Sequence, residues 1–131
     1  MPVSSVTLGG NISSKILEDS NINATVQNNV LGGSGTLYGV YISNTNNSTA
    51  VYVKVWNHAG PTIETTAPDF VFLCPAGQIR QYTWSGGVAL GVGLSYACVA
   101  ETAAADAAPV SGGTAGNTAP AKSVLVRILA S

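Results

Sequence analysis

The segment TLYGVYISNTNNSTAVYVKVW, residues 36–56, carries the strongest fold signal in this chain. It holds two runs of aromatic and β-branched residues joined by the polar stretch NTNNST at residues 44–49. Aromatic and β-branched residues favour strands, and clustered Asn and Ser favour turns. The segment therefore predicts a β-hairpin.

Alternation within the second run predicts which residues face the core. Successive side chains of a strand point to opposite faces, so Val51, Val53 and Val55 are expected to point inward. The matching inward set of the first run is Tyr38, Val40 and Ile42. Tyr52 and Trp56 are then expected on the outer face, with Lys54 as the single charge between them.

Further strand signals occupy most of the chain and predict an all-β fold. Runs of apolar residues are separated by Gly, Pro, Asn or Ser, and no convincing helix appears, although SSKILED at residues 13–19 would suit a helical turn. The fold class we predict is an antiparallel β-sandwich or jelly roll. The predicted strands span residues 37–43, 50–56, 70–74, 79–84, 88–90, 94–100 and 124–129.

The chain divides into two predicted parts. Residues 1–35 have isolated apolar positions among Ser, Asn and Gly, and they predict an extended N-terminal arm with one or two short strands, for example at residues 23–28. Residues 36–131 form the sandwich body, in which residues 101–120 are an Ala- and Gly-rich loop. The arm is expected to lie on the body or on a neighbouring subunit. Removal of residues 1–30 is expected to leave a folded body.

Composition narrows the classes of function. Charged residues are 8% of the chain, against about 25% in typical proteins, so we expect much of the surface to be buried in an assembly. The five basic residues are scattered singly, which argues against a nucleic-acid partner. No apolar run approaches the roughly 18 residues of a membrane span, and no signal peptide is evident, so no membrane partner and no export are expected.

Residues suited to catalysis or metal binding are sparse. His58 is the only histidine, with Asp69 or Glu64 as the nearest acids, and no nucleophile motif accompanies it. Cys74 and Cys98 lie in apolar runs without metal-ligand spacing, and we interpret them as free buried thiols. The chain is accordingly predicted not to be an enzyme and to have no catalytic residues, no cofactor and no metal.

The candidate site is instead an interface. Aromatic side chains and a lone charge on a sparsely charged sheet are suited to burial against a partner. The candidate interface residues are Tyr41, Tyr52, Lys54, Trp56 and Trp84.

The order of these motifs resembles a family of tailed-phage virion proteins. The markers are LYGVYISNTNNSTAVYVKVWN, then Pro61 with Thr62, FVFLCPAGQIRQY, GGVALGVGLSYACV, a small-residue loop holding Asp106 and a closing strand, within residues 36–129. Members of this family are small β-sandwich structural, head-decoration or head-fibre proteins. The resemblance implies a cement protein on the capsid surface of the virion, made in the host cytoplasm. Its implied partners are itself, as a homodimer or homotrimer, and the major capsid protein.

A second hypothesis is a tail- or fibre-associated module that binds host-surface glycan. Sandwich folds often carry carbohydrate sites, and Trp56, Trp84 or the tyrosines could stack on sugar rings. The number of copies per particle would separate the two hypotheses.

Overall fold

The computed structural model describes residues 14–63, 65–100 and 118–131. In these residues the chain forms seven β-strands and no helix. The strands are β1 (Lys15–Asp19), β2 (Gly35–Ser43), β3 (Val51–Asn57), β4 (Phe70–Cys74), β5 (Ile79–Leu90), β6 (Leu94–Ala100) and β7 (Leu125–Ala130).

The strands form two antiparallel sheets that share one core. The four-stranded sheet has the order β1-β7-β2-β5, and the three-stranded sheet has the order β4-β3-β6. This arrangement confirms the all-β sandwich, while its jelly-roll form stays a prediction. The predicted hairpin of residues 36–56 is wrong, because β2 pairs with β5 and β7 whereas β3 pairs with β4 and β6.

The core consists of alternate residues from strands of both sheets. Val51, Val53 and Val55 of β3 are fully buried, which confirms their predicted inward orientation. Val126 and Ile128 of β7 belong to the same apolar cluster. Each such side chain contributes about 1.5–3 kcal/mol when it is fully buried, so these alternating rows hold the two sheets together.

The polar connection between β2 and β3 carries the chain from one sheet to the other. Asn44 is fully buried, and its Nδ2 donates to three backbone carbonyls, those of Thr49, Cys74 and Pro75, at 3.0, 3.2 and 3.2 Å. Its Oδ1 accepts a hydrogen bond from Asn47 Nδ2 at 2.9 Å. Asn47 also bonds the backbone N and O of Lys122. The connection thereby joins three loops and satisfies their buried polar groups.

A β-bulge in β2 changes which of its residues reach the core. The register shifts between Leu37 and Gly39 against both neighbouring strands, so the pairing steps over Tyr38. Leu37 therefore joins Val40 and Ile42 in the core cluster. The predicted inward set is confirmed for Val40 and Ile42, whereas Tyr38 is buried outside that cluster because of the bulge.

Residues 14–35, the described portion of the predicted arm, lie along the sandwich. β1 pairs with β7 over five residues, from Lys15 opposite Ala130 to Asp19 opposite Val126. Ile22 is 2% exposed and belongs to the core cluster. A deletion of residues 1–30 would remove both β1 and Ile22, which pack on the sandwich. The expectation that such a deletion leaves a folded body stays a prediction.

Residues 23–30 cover the outer edge of β6. The backbone N of Cys98 donates to Asn23 O, and the backbone N of Val30 donates to Leu94 O. Within this segment Gln27 alone forms a β-bridge, with Tyr96. The continuous strand predicted at residues 23–28 is therefore wrong, although the segment does protect a sheet edge.

Other boundaries also differ from the predictions. Residues 15–19, within the stretch that could have formed a helical turn, form the edge strand β1 instead. The strands predicted at residues 79–84 and 88–90 are one twelve-residue strand, β5, distorted between its two halves. Residues 1–13 of the predicted arm and residues 101–117 of the predicted loop lie outside the described residues.

Candidate interaction surface

The outer face of the four-stranded sheet carries side chains from all four of its strands. Alternate residues of β7 are buried in the core, so its remaining residues point to the opposite side of the sheet. Directly paired residues on neighbouring strands point to the same face of a sheet. The partners of the outward residues of β7 therefore identify the outward residues of β1 and β2, and those of β2 identify the ones of β5. We call this set the exposed face: Ile16, Glu18, Gly39, Tyr41, Ser43, Ile79, Gln81, Thr83, Leu125, Arg127 and Leu129.

The register aligns these residues in rows across the strands. The central row contains four polar or aromatic side chains, those of Glu18, Arg127, Tyr41 and Gln81. Apolar side chains flank it, with Ile16 and Leu129 in the row on one side and Leu125 and Ile79 in the row on the other. Ile16 and Ile79 are 67% and 49% exposed. The exposed face therefore combines apolar area with a fixed polar centre.

Arg127 links three strands at the centre of this face. Its Nε donates to Glu18 Oε2 at 2.7 Å, and its guanidinium lies 5.4 Å from the centroid of the Tyr41 ring. The hydrogen bond and the charge of Glu18 raise the pKa of Arg127, so the guanidinium stays charged. Because both side chains are about half exposed, solvent screens the ion pair and its main effect is to orient the guanidinium.

A shallow depression lies beside this row. Its volume is about 210 Å³, and its lining includes Ile16, Tyr41, Gln81, Arg127 and Leu129. Small-molecule sites in proteins usually measure about 300–1,000 Å³. The depression is thus smaller than a typical small-molecule site.

The residues considered for catalysis are used in turns. His58 Nδ1 accepts a hydrogen bond from Gly60 N at 2.8 Å, and Asp69 Oδ2 accepts one from Asn57 N at 2.6 Å. Glu64 lies outside the described residues. Among residues 14–63, 65–100 and 118–131, no group of three or more His, Cys, Asp or Glu side chains is placed to hold a metal ion.

Both cysteines are free and buried in the core. Cys74 lies on β4 opposite Val51, and Cys98 lies on β6 opposite Val53, so β3 separates them. Strands two positions apart in a sheet are about 9.6 Å apart, whereas a disulfide requires Cα atoms within about 6.8 Å. This geometry prevents a disulfide between the two residues, and burial raises the pKa of each thiol.

Among the candidate interface residues, Tyr41 lies on the exposed face and three others lie on the outer side of β3. There Tyr52 is half-buried, while Lys54 is 2% exposed and Trp56 is fully buried. The indole Nε1 of Trp56 donates to Thr66 O at 2.8 Å, in the loop between β3 and β4. The expected outward exposure of Trp56 is therefore wrong, and Lys54 is buried as well.

Trp84 packs within the molecule beside the core. Its ring centroid lies 6.1 Å from that of Phe70 and 5.5 Å from that of Phe72. Phe72 in turn contacts Tyr82, at 5.1 Å between centroids. These four rings join β4 to β5 and so close one side of the sandwich, and Trp84 is partly buried there.

Of the exposed face, only Tyr41 is among the candidate residues predicted from the sequence. The residues that were not predicted include Ile16, Glu18, Ile79 and Arg127, which come from two edge strands and the last strand. A signal for part of this set is present in LVRILA, residues 125–130, where Leu125, Arg127 and Leu129 alternate with buried residues. The signal in β1 is weak, because KILED has apolar residues on both faces.

Comparisons with protein-family models, with curated proteins and with solved structures find no match for this chain. The resemblance to phage virion proteins thus stays a prediction from the sequence motifs. The described residues contain no helix long and apolar enough to cross a membrane.

Proposed function

We propose that this chain is a non-enzymatic virion structural protein that binds the outer surface of a major capsid shell as a cement or decoration protein. The exposed face of the four-stranded sheet is the docking surface in this proposal. The observation that carries it is the combination, on one sheet face, of exposed Ile16 and Ile79 with the fixed Glu18–Arg127–Tyr41 row. Aromatic, apolar and Arg side chains are the ones enriched at protein interfaces.

The sparse charge of the chain supports this role. A surface that must stay solvated is normally rich in charged residues, whereas here they are 8% of the chain. The two charges at the centre of the exposed face already neutralise each other. A shell surface of matching apolar and polar groups can then cover this face without leaving an isolated charge buried.

The size of the exposed face favours binding by several copies together. Four strands spaced about 4.8 Å apart, with about five residues each, present roughly 300 Å². A stable interface buries about 800 Å² on each partner. A homo-oligomer would present several such faces to the repeating shell lattice, and the linked contacts would add in avidity. The proposed partners are therefore a second copy of the chain and the major capsid protein.

A charge substitution on the exposed face tests this proposal. Ile79→Glu places a carboxylate at the β5 side of the face, and Val92→Glu makes the same change at a residue that is 55% exposed in the turn between β5 and β6. We expect Ile79→Glu to reduce the occupancy of shells at least about tenfold, because a charge would be desolvated in the interface. We expect Val92→Glu to bind like the unaltered chain.

Occupancy is measured by mixing purified protein with shells assembled without it and quantifying the bound fraction after sedimentation. Equal binding by both variants would contradict the assignment of the exposed face. Failure of the unaltered chain to bind shells would contradict the proposed function itself.

A further inference from the structure

The edges of the sandwich differ in how they are protected. Residues 23–30 hydrogen-bond along β6, and the Tyr82 hydroxyl donates to Leu73 O at the edge of β4. The pairing of β5 with β2 is interrupted at residues 84–87, between the paired residues Thr83 and Val88. Blocking groups and irregularities of this kind normally prevent edge-to-edge pairing.

Among the described residues, β1 is a regular strand at the remaining edge. Within the described parts of the chain, it pairs with β7 without a register shift. Its second residue, Ile16, is 67% exposed and is the most exposed large apolar side chain among the described residues. An edge strand of this kind is a template for pairing with another strand.

From these features we infer that β1 pairs with β1 of a second copy of this chain, antiparallel about a two-fold axis through Leu17. The inference rests on the proposed function in that it names the edge through which the proposed homo-oligomer forms. Such an interface is isologous, so every contact occurs twice.

The sequence of β1, KILED, is self-complementary in this register. Lys15 of one copy lies opposite Asp19 of the other, and Leu17 lies opposite itself. Opposite charges at directly paired positions stabilise a strand pair, and like charges destabilise it. The positions of Lys15 and Asp19 at opposite ends of β1 therefore favour pairing with a second copy. The same charges disfavour pairing with unrelated strands.

Two neighbouring registers that also preserve the faces of the sheet are less favourable. A register centred on Glu18 places that residue opposite itself and creates a like-charge pair. A register centred on Ile16 pairs Lys15 with Leu17 and loses the opposite-charge pair. The Leu17-centred register keeps both Lys–Asp pairs and also brings together two half-buried leucines that already pack on the two cores.

The resulting dimer contains one continuous eight-stranded sheet. A two-fold axis perpendicular to the sheet leaves both exposed faces on the same side, because each residue pairs with one of the same orientation. The combined face would measure roughly 600 Å², twice that of one copy. The dimer thereby supplies the paired docking surface that a single copy lacks.

Disulfide trapping in the full-length chain tests the register. Leu17→Cys is expected to form a cross-linked dimer under mild oxidation, because the new thiols meet at the two-fold axis. Ile79→Cys, an exposed position at the opposite edge of the same sheet, is expected to form no cross-link under the same conditions. The native cysteines are buried, so they are not expected to form cross-links in this experiment.

Sedimentation equilibrium in the absence of shells tests the charge pairing without altering Leu17. Lys15→Glu is expected to raise the dimer dissociation constant about tenfold or more, since the symmetric interface contains the changed pair twice. Lys122→Glu makes the same change in net charge at an exposed residue outside β1 and is expected to have no such effect.

Each of four results would overturn the inference. These are a monomeric or trimeric unaltered chain, equal dissociation constants for the two lysine variants, efficient cross-linking of Ile16→Cys but not Leu17→Cys, and cross-linking of Ile79→Cys alone. Because these experiments contain no shells, a failure of the chain to dimerise is distinguishable from a failure to bind the capsid.

Discussion

Replacement of Asn44 by Ala is expected to destabilise the fold strongly, because this side chain holds the connection between the sheets. The change removes the amide that donates to the carbonyls of Thr49, Cys74 and Pro75, and the oxygen that accepts from Asn47 Nδ2. Because an NH₂ group has only two protons, its contacts with three carbonyls count as two donated bonds. Together with the accepted bond, three hydrogen bonds are lost. The backbone bonds between Asn44 and the turn at residues 77–78 remain.

The expected magnitude follows from these three bonds. Each contributes about 1 kcal/mol, and buried groups left without partners add to the loss, so we expect about 3 kcal/mol. For a chain of 131 residues, the entropy of unfolding is about 2.1 cal/mol/K per residue, which converts this loss to a decrease in Tm of about 10 °C.

Urea unfolding and calorimetry measure both quantities. The matched control is Asn46→Ala, which changes the same type of residue in the same connection but removes only exposed contacts to Ser123, at 3.3 and 3.5 Å. We expect the control to change the free energy of unfolding by less than about 0.5 kcal/mol. Equal effects of the two substitutions would refute the role assigned to the buried network.

Two further predictions concern buried groups and backbone conformation. Burial raises the pKa of the Cys98 thiol, and burial together with the charge and hydrogen bond of Asp19 raises that of Tyr96, so the folded state retains protons that the unfolded state releases. These two groups should therefore leave the free energy of unfolding unchanged up to about pH 8.5 and then lower it by up to about 1.4 kcal/mol per pH unit per group. Cys98→Ala should have a smaller slope just above about pH 9, and an unchanged slope in urea titrations would contradict this. Gly87→Ala should cost about 2–4 kcal/mol, because Gly87 has a φ of 72° and its new Cβ would contact Thr36 Cγ2 and the Tyr38 ring. Gly86→Ala should change stability little, because nothing lies within 4 Å of its Cβ position. Similar thermal unfolding of the two variants would argue against the close approach of Gly87 to Thr36 and Tyr38.

The strands of the body could be predicted because their signals are local. Phe70–Cys74 and Leu94–Ala100 have the predicted bounds, and the alternation of valines in β3 identifies its buried side. Hydrophobic period and turn residues are properties of short windows, so they remain readable without knowledge of the partners of a strand.

The pairing of the strands could not be predicted from the same signals. Two strands joined by six polar residues usually form a hairpin, yet the fold of residues 44–49 depends on carbonyls 30 residues away. Alternation likewise indicated an exposed Trp56, but it cannot show that the loop before β4 supplies the carbonyl of Thr66 as a partner. Contacts with residues ten or more positions away therefore explain both errors.

The candidate site was the least predictable part. The exposed face is assembled from β1, β2, β5 and β7, and the Glu18–Arg127 contact joins residues 109 positions apart. β1 itself carries no clear strand period, because its pairing with β7 rather than its own pattern fixes its conformation. A surface built from separate strands has no continuous motif for a sequence to display.

The position of this chain on a phage particle is the most direct test of its proposed role. We expect a cryo-electron microscopy reconstruction of the particle to show hundreds of copies on the shell, with Ile16, Tyr41, Ile79 and Arg127 turned toward the major capsid protein. Six or twelve copies at the tail or portal would contradict the proposed function. A chain bound to the shell through the three-stranded sheet would contradict the assigned surface.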